Sequence, residues 1–456
     1  MRRVVKVSRI RIIITIIVVV LTTLLTGCTG KEPNEIAYVV ALGIDSTDDD
    51  NYKITIQYAN TTQISGGASE SGGKSGSEIV DNVTIEAPNI YAGVGLANNI
   101  VSKSFSMSHA KLIVFSKEIA EKGVKDMIET LVRSEEIRPD VFIAVANTTA
   151  NDYLTSVNPE MEVNPAQYYQ LIYQKNQLVG IPDGQLREFF TGLYTDNYDS
   201  ILPVAGVIEG AGGNSQNDDK GQSKDGQNEG SEGSSESLDS FESKSSDDKD
   251  ENEKEKDAEK NTSKYEYDIK NYVGGETAIE KKNKAEAIGA AVFEKDKMVG
   301  ELGEVETEIC KILKGDYTYS YLTYYNNDTP DIPITVKTTQ QKKPKYKIDT
   351  DKKTVDIELY IESDLYSLPA DYNVENKIED FERDVANYTS SACTEFINNF
   401  TKKYNSDILK LNEKVKYKFL TNNQYNWFKK NVGWSEYKFS VCTNFKVRRT
   451  GLIVRE

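Results

Sequence analysis

Residues 36 to 58 read IAYVVALGIDSTDDDNYKITIQY. Ile36 to Ile44 form one apolar strand. Asp45 to Asn51 are turn residues, because short Asp and Asn side chains bond back to their own backbone. From Tyr52 to Tyr58, Tyr52, Ile54, Ile56 and Tyr58 alternate with Lys53, Thr55 and Gln57, the period of a strand. Two such runs across a polar turn predict a hairpin.

Outward from this hairpin the chain mixes both kinds of element. Residues 64–78 (ISGGASESGGKSGSE) are a Gly/Ser loop. A short strand near Asn82–Ile85 leads to a helix from Asn89 to Lys103. Strands are predicted at Ala110–Ser116 and Val141–Ala146. Between them lies a helical stretch, Glu118–Arg133, interrupted near Gly123. Helical segments follow at Ala150–Ser156, Pro165–Asn176 and Gln185–Tyr194, then a strand at Ile201–Ile208. No regular βαβ repeat appears, so the fold class expected is α+β, multi-domain, with mixed or antiparallel sheets and packed helices.

Residues 211–262 break the pattern. Of these 52 residues only Ala211, Leu238, Phe241 and Ala258 are apolar, and 16 acids against 7 bases give a net charge of −9. Such a segment cannot bury enough surface to offset its ordering entropy. It is expected to be a disordered, self-repelling linker. The expected division is therefore 1–27, 28–210 (two subdomains), 211–262 and 263–456.

In the last region, Ala287–Glu294 and Lys297–Val299 read as a strand pair. Val305–Leu313 reads as a helix ending near Gly315. Strands follow at Tyr317–Tyr325, Ile332–Thr338, Tyr346–Asp349 and Thr354–Ile361. From Val374 to Lys403 runs one long amphipathic helix. Val374, Ile378, Phe381, Val385, Tyr388, Ala392, Phe396 and Phe400 recur at spacings of three and four, a stripe that should pack across a sheet. Val415–Phe419 and Tyr437–Val447 complete the strands.

The composition excludes several functions. The chain has 456 residues and a formal charge of −17. Nucleic-acid binding needs a concentrated basic surface, so no nucleic-acid partner is expected. The single histidine, His109, rules out HExxH zinc chemistry, and any Ser-His or Cys-His pair would have to use it. A structural, hydrogen-bonding histidine is the expectation. Cys28, Cys310, Cys393 and Cys442 make no CxxC motif. Cys310 and Cys393, on apolar helices, read as packed thiols, and Cys442 as an exposed one. Gly72-Gly73-Lys74-Ser75 invites a phosphate-loop reading, but Ala68 stands where the motif needs glycine, so no nucleotide is expected. Asp248, Asp250, Asn252 and Glu259 match EF-hand positions, yet Glu253 replaces the turn glycine and no apolar helix flanks them. Neither a metal nor a cofactor is expected.

The N-terminus assigns the compartment. Arg2, Arg3, Lys6, Arg9 and Arg11 precede an apolar run from Ile12 to Leu25, which is the pattern of an export signal. It ends in Leu25-Thr26-Gly27-Cys28, small residues before a cysteine, which resembles a bacterial lipobox. Two readings stand: cleavage before Cys28, whose thiol and new amine then carry lipid, or an uncleaved anchor. Both leave the rest of the chain outside the cytoplasmic membrane and attached to it.

In order along the chain, several segments resemble the Ger(x)C family of spore-germination lipoproteins, the C subunits of nutrient germinant receptors. Cys28 is followed by Glu35-Ile36 and by Ala41-Leu42-Gly43-Ile44-Asp45. Ser108-His109-Ala110-Lys111 and Glu118 to Gly123 come next, then Arg133 and Arg138 within RSEEIRPD. Gly289-Ala290-Ala291-Val292-Phe293, with Lys297 to Leu302 including Gly300, resembles the family's glycine-marked hairpin. The helix reaching Asp407, then Trp427, Trp434 and Val441–Gly451, resembles its C-terminal pattern. The resemblance implies a non-enzymatic, lipid-anchored subunit on the outer face of the spore's inner membrane, in contact with multi-span A and B subunits. It implies that Asp45, His109, Arg133, Arg138, Gly289, Gly300 and Asp407 are structural. The alternative is an extracellular solute-binding lipoprotein of a transporter. Such proteins usually show repeated βα units, which the meander-like second half does not suggest.

Charge is uneven. Residues 1–27 carry +5, residues 28–210 carry −13, and residues 263–456 are neutral, with 31 bases and 31 acids. An anionic membrane would repel the acidic parts. The neutral region, with Lys446, Arg448 and Arg449 near its end, is the face expected to meet acidic surfaces.

Overall fold

A computed structural model describes residues 13–17, 35–49, 51–59, 80–159, 162, 164–174, 180–195, 197–208, 271–277, 283–325, 333–367, 377–404 and 406–450. The lipobox Leu25-Thr26-Gly27-Cys28, the Gly/Ser loop and the acidic linker lie outside the described residues.

The first part opens with the predicted hairpin, β1 (Ile36–Ser46) and β2 (Tyr52–Ala59), joined by β3 (Val80–Ala87). Helix α1 (Ile90–Ala97) starts at Asn89, whose side chain caps Ala92 N at 2.9 Å. It stops short of the predicted Lys103. The Asn98 side chain turns back to accept from Phe105 N at 2.8 Å, and residues 104–106 become a short strand, β4. Then come β5 (Leu112–Ser116), α2 (Lys117–Lys122), α3 (Lys125–Val132) and β6 (Phe142–Ala146). Gly123, between α2 and α3, has φ +124°, a backbone state that ends a helix and suits glycine. Helices α4 (Ala150–Ser156), α5 (Pro165–Gln174) and α6 (Leu186–Thr195) precede β7 (Ile201–Val207).

These strands form one mixed sheet with order β3-β2-β1-β5-β6-β7, and β4 alongside β1. The pairs β1–β5, β5–β6 and β6–β7 are parallel, while β1–β2 and β2–β3 are antiparallel. Both faces are covered. Ile113, Phe115, Ile143 and Val145 enter one core, and Leu112, Val114, Phe142 and Ala144 enter the other. Each of the Val, Leu, Ile and Phe side chains contributes about 1.5–3 kcal/mol on full burial. On β1 the alternation changes phase: Ala37 and Val39 share a face with Leu42 and Ile44. A β-bulge between Val39 and Ala41 inserts Val40 and flips the register, so both halves of the strand feed the same core.

The sheet does not stop at residue 210. β8 (Ala285–Glu294) pairs antiparallel with β7, placing Val207 opposite Ala285, and β9 (Lys297–Leu302) pairs with β8. The hairpin assigned by sequence to the second region thus completes the sheet of the first.

Helix α7 (Glu304–Lys314) ends at Gly315, with φ +82°. A second sheet follows, built from β10 (Tyr319–Tyr325), β11 (Pro333–Gln340), β12 (Lys345–Asp349), β13 (Thr354–Ser367) and β14 (Lys438–Arg449). β11 and β12 share one edge of β13, and β14 runs parallel along the other. The long helix α8 (Ile378–Lys403) buries Phe381, Val385, Cys393, Phe396, Ile397 and Phe400. It also closes the sheet's open edge. Asn398 both donates to and accepts from the Phe439 backbone, at 3.0 and 3.1 Å. Thr394 accepts from Val441 N at 3.0 Å, Ser390 from Thr443 N at 2.9 Å, and Glu382 from Val447 N at 2.9 Å. Four helical residues rise about 6 Å and two strand residues about 6.6 Å, so the two periods stay in step. An edge strand exposes unpaired amides, and here a helix pairs them.

One predicted strand is corrected. Val415–Phe419 is the end of a short helix, α9 (Leu411–Val415), followed by a 3-10 turn at Lys416–Lys418. Its alternation has no sheet neighbour to satisfy it. A further helix, α10 (Asn422–Asn431), had no counterpart in the sequence reading, because Tyr425 and Phe428 are its only buried residues.

Candidate functional site

Asp45 ends the buried run of β1 and is itself buried. Its carboxylate accepts from Ala150 N at 2.6 Å and Asn151 N at 3.0 Å, in the first turn of α4. Helix N-termini leave such amides unpaired and favour negative charge. The Thr149 side chain caps Asp152 N at 3.0 Å, so the helix start is doubly held. Burial pushes the Asp45 carboxyl above the usual range, against the pull of the two amides and Lys53. The Asn151 side chain then bonds Thr55 and Thr84 on the neighbouring strands, at 2.9 and 3.0 Å. Asp45 is a clamp between strand and helix.

His109, Arg133 and Arg138 lie at the surface, each with its own neighbours. The His109 ring packs edge-on to Tyr38 at 4.8 Å, and its Nδ1 is 3.0 Å from Ser108 Oγ. Arg133 pairs with Glu129 at 3.1 Å across one turn of α3. Arg138 pairs with Asp140 at 3.0 Å. The two glycines answer to close packing. Gly289 has φ +85°, and a Cβ there would lie 2.6 Å from the Leu302 carbonyl oxygen. A Cβ on Gly300 would clash with the Tyr404 side chain.

Asp407 is different, because it sits where the two halves of the sequence meet. Its carboxylate accepts from Leu411 N and Asn412 N, both at 2.8 Å, capping α9. Its own N–H donates to Asp199 at 2.8 Å, and Asp199 N returns a bond to the Asp407 carbonyl at 3.2 Å. The other Asp199 oxygen accepts from Lys295 N at 3.0 Å, in the β8–β9 turn. Ser406 Oγ donates to the Phe293 carbonyl at 2.9 Å. Burial, with help from Asp199, pushes the Asp407 carboxyl up to about 7, against the two amides and Lys414. Burial raises Asp199 as well. Tyr425 and Lys429 of α10 both reach the Asn197 side chain, at 3.0 and 3.2 Å. The sequence singled out Asp407 and missed Asp199, whose only local mark is an acid just before a strand.

Beside this seam is a shallow pocket, partly open to solvent, lined by Asp183, Glu188, Tyr198, Asp199, Lys314 and Lys410. Lys410 sits 4.3 Å above the Tyr198 ring and 4.0 Å from Glu188.

Cys310 and Cys393 are buried and Cys442 exposed. Burial pushes the first two thiols up to about 11 and about 12, away from the reactive thiolate. Among the described residues no three His, Cys, Asp or Glu side chains gather to hold a metal. No helix among them is long and apolar enough to cross a membrane.

Two family models match in sequence order. That for the spore germination protein N-terminal domain covers residues 30–207, and that for the spore germination B3/GerAC-like C-terminal domain covers residues 288–451. The spore germination protein KC of Bacillus subtilis (strain 168) is 26% identical over 174 residues, 35% of this chain and 42% of that one. The putative spore germination protein YfkR of the same organism is 28% identical over 145 residues, 32% of this chain and 37% of that one. The matches thus span about two fifths of those relatives' length. A crystal structure of the GerBC protein aligns with 89% of this chain and 96% of its own, at 15% identity and a TM-score of 0.47.

Proposed function

Since the chain belongs to the GerAC, or Ger(x)C, family of spore germination proteins, we propose that it is the lipid-tethered subunit of a nutrient germinant receptor. In this reading Cys28 carries the lipid, and the folded part stands on the outer face of the spore's inner membrane. It works by protein–protein contact with multi-span A and B subunits, and not by catalysis. The observation that carries the proposal is the succession on one chain of an export-type N-terminus ending in Cys28 and both family segments. One acyl chain binds a membrane only marginally and several anchor it stably, so both the thiol and the amine of Cys28 would be acylated.

The seam supports a scaffold role. Asp407, Asp199 and Ser406 join the C-terminal part to the first sheet through backbone bonds. The two halves would thus move as one body when a partner pulls on either.

Affinity capture of the tagged chain from spores tests the reading. Two multi-span membrane proteins are expected with it, and Cys28→Ala should abolish both fatty-acid labelling and membrane retention. Recovery of an ABC permease instead, or unchanged labelling of the variant, would overturn it.

A further inference from the structure

After α9 the chain runs through an exposed stretch, residues 416–431, before the second sheet closes. Leu420 is 94% exposed, Tyr417 79% and Trp427 64%. Lone exposed apolar residues are ordinary, but here three large ones fall within eleven positions. The stretch is anchored from within. Phe419 packs on Tyr425 and Phe428, with ring centres 5.9 and 4.9 Å apart, and Phe428 packs on Trp434 at 5.8 Å. The Thr421 side chain caps α10 by accepting from Gln424 N at 3.3 Å. The outward side chains therefore project from an ordered base.

Four lysines lie in the same stretch: Lys416, Lys418, Lys429 and Lys430. Among the described residues none has a carboxylate within ion-pair distance. Lys418 bonds the Ile348 carbonyl, and Lys429 bonds the Thr195 carbonyl at 3.1 Å. Residues 410–431 hold six lysines and one acid, Glu413, within a chain of net charge −17. Of the bases expected to face acidic surfaces, which are elsewhere, Lys446 pairs with Glu382 and Arg448 with Glu362.

We propose that residues 416–430 form a membrane-contact tip, which places Tyr417, Leu420 and Trp427 in the interface of an anionic bilayer and the exposed Lys416 and Lys430 at its phosphates. Trp and Tyr favour the headgroup level, where a ring can be half wet. Leu enters the acyl boundary, and lysines answer the negative surface. A side chain left 94% exposed projects from the surface, a shape suited to insertion and unlike a groove that receives a partner's helix. The tip does not require lipid at Cys28, although a tether there would raise its local concentration.

The chain has only two tryptophans, so Trp434→Phe leaves Trp427 as the sole reporter. If that variant unfolds, the difference between wild-type and Trp427→Phe spectra isolates the same emission. The full chain is mixed with phosphatidylcholine vesicles, with and without phosphatidylglycerol. With the anionic lipid, Trp427 emission should shift to the blue, be quenched by bromine-labelled lipids and lose access to acrylamide. In the Cys28→Ser background, Leu420→Ser should weaken binding to these vesicles about tenfold. Flotation with vesicles while Trp427 stays open to acrylamide would overturn the tip and leave the tether standing. Shielding of Trp427 only on addition of receptor subunits would overturn it in favour of a protein partner.

Discussion

Asp199 and Asp407, 208 positions apart, hold each other's backbone: Asp407 N donates to the Asp199 carboxylate at 2.8 Å, and Asp199 N donates to the Asp407 carbonyl at 3.2 Å. Asp199 also secures the β8–β9 turn through Lys295 N. One half-buried carboxylate thus joins three segments of chain.

This seam carries a pH dependence. Asp407 is raised to about 7 in the fold, against about 3.9 in an unfolded chain. The folded state therefore binds the proton more tightly. Its stabilising contribution is full below about pH 4 and is lost as the pH rises through about 7. Asp407→Asn, which keeps the shape but cannot ionise, should gain on the wild type over that window. Thermal unfolding across the range is expected to show the variant several degrees better placed at high pH than at low pH. A relative loss with rising pH would mean that the anion, held by Leu411 N and Asn412 N, is the favoured form.

The helix-to-edge ladder predicts a local cost. Asn398→Ala removes both bonds to Phe439 and leaves a backbone N–H and a C=O without their partner. Each such loss is worth about 1–3 kcal/mol. Denaturant unfolding should show a loss of about 2–4 kcal/mol with an unchanged slope. Glu395→Ala, on the exposed face of the same helix, should stay within about 0.5 kcal/mol. Equal effects at both positions would show that the ladder adds nothing to ordinary helix packing.

Pairing of Val207 with Ala285 brings together the two ends of the chain between them. Deleting residues 211–262 should therefore leave the sheet intact. Shortening a connection of this length lowers the entropy of closing it by about 1 kcal/mol. Thermal unfolding is expected to be unchanged or slightly raised. A loss of several degrees would show that the deleted residues pack against the fold.

Much of the architecture was legible because each element carried its own period. β14 buries Phe439, Val441 and Phe445 and exposes Lys438, Ser440, Cys442 and Asn444, as its alternation requires. Cys310 and Cys393, read as packed thiols, are buried. Val415–Phe419 misled because its alternation is that of a strand, while only a sheet neighbour could make it one. Helix α10 escaped notice because two buried residues in ten make no stripe.

Local pattern thus determined the elements, the mixed α and β class and the family, since spacing and side-chain type are properties of neighbours in the chain. Which elements share a sheet was decided only by tertiary structure. The β8–β9 hairpin reads the same whether it opens a second domain or closes the first, and its pairing with β7 settles the matter. Asp199 is an ordinary acid in the sequence, and Asp407 stands out there only through the family resemblance. Their role arises from burial and from the amides the fold brings to them, and neither is written in adjacent residues.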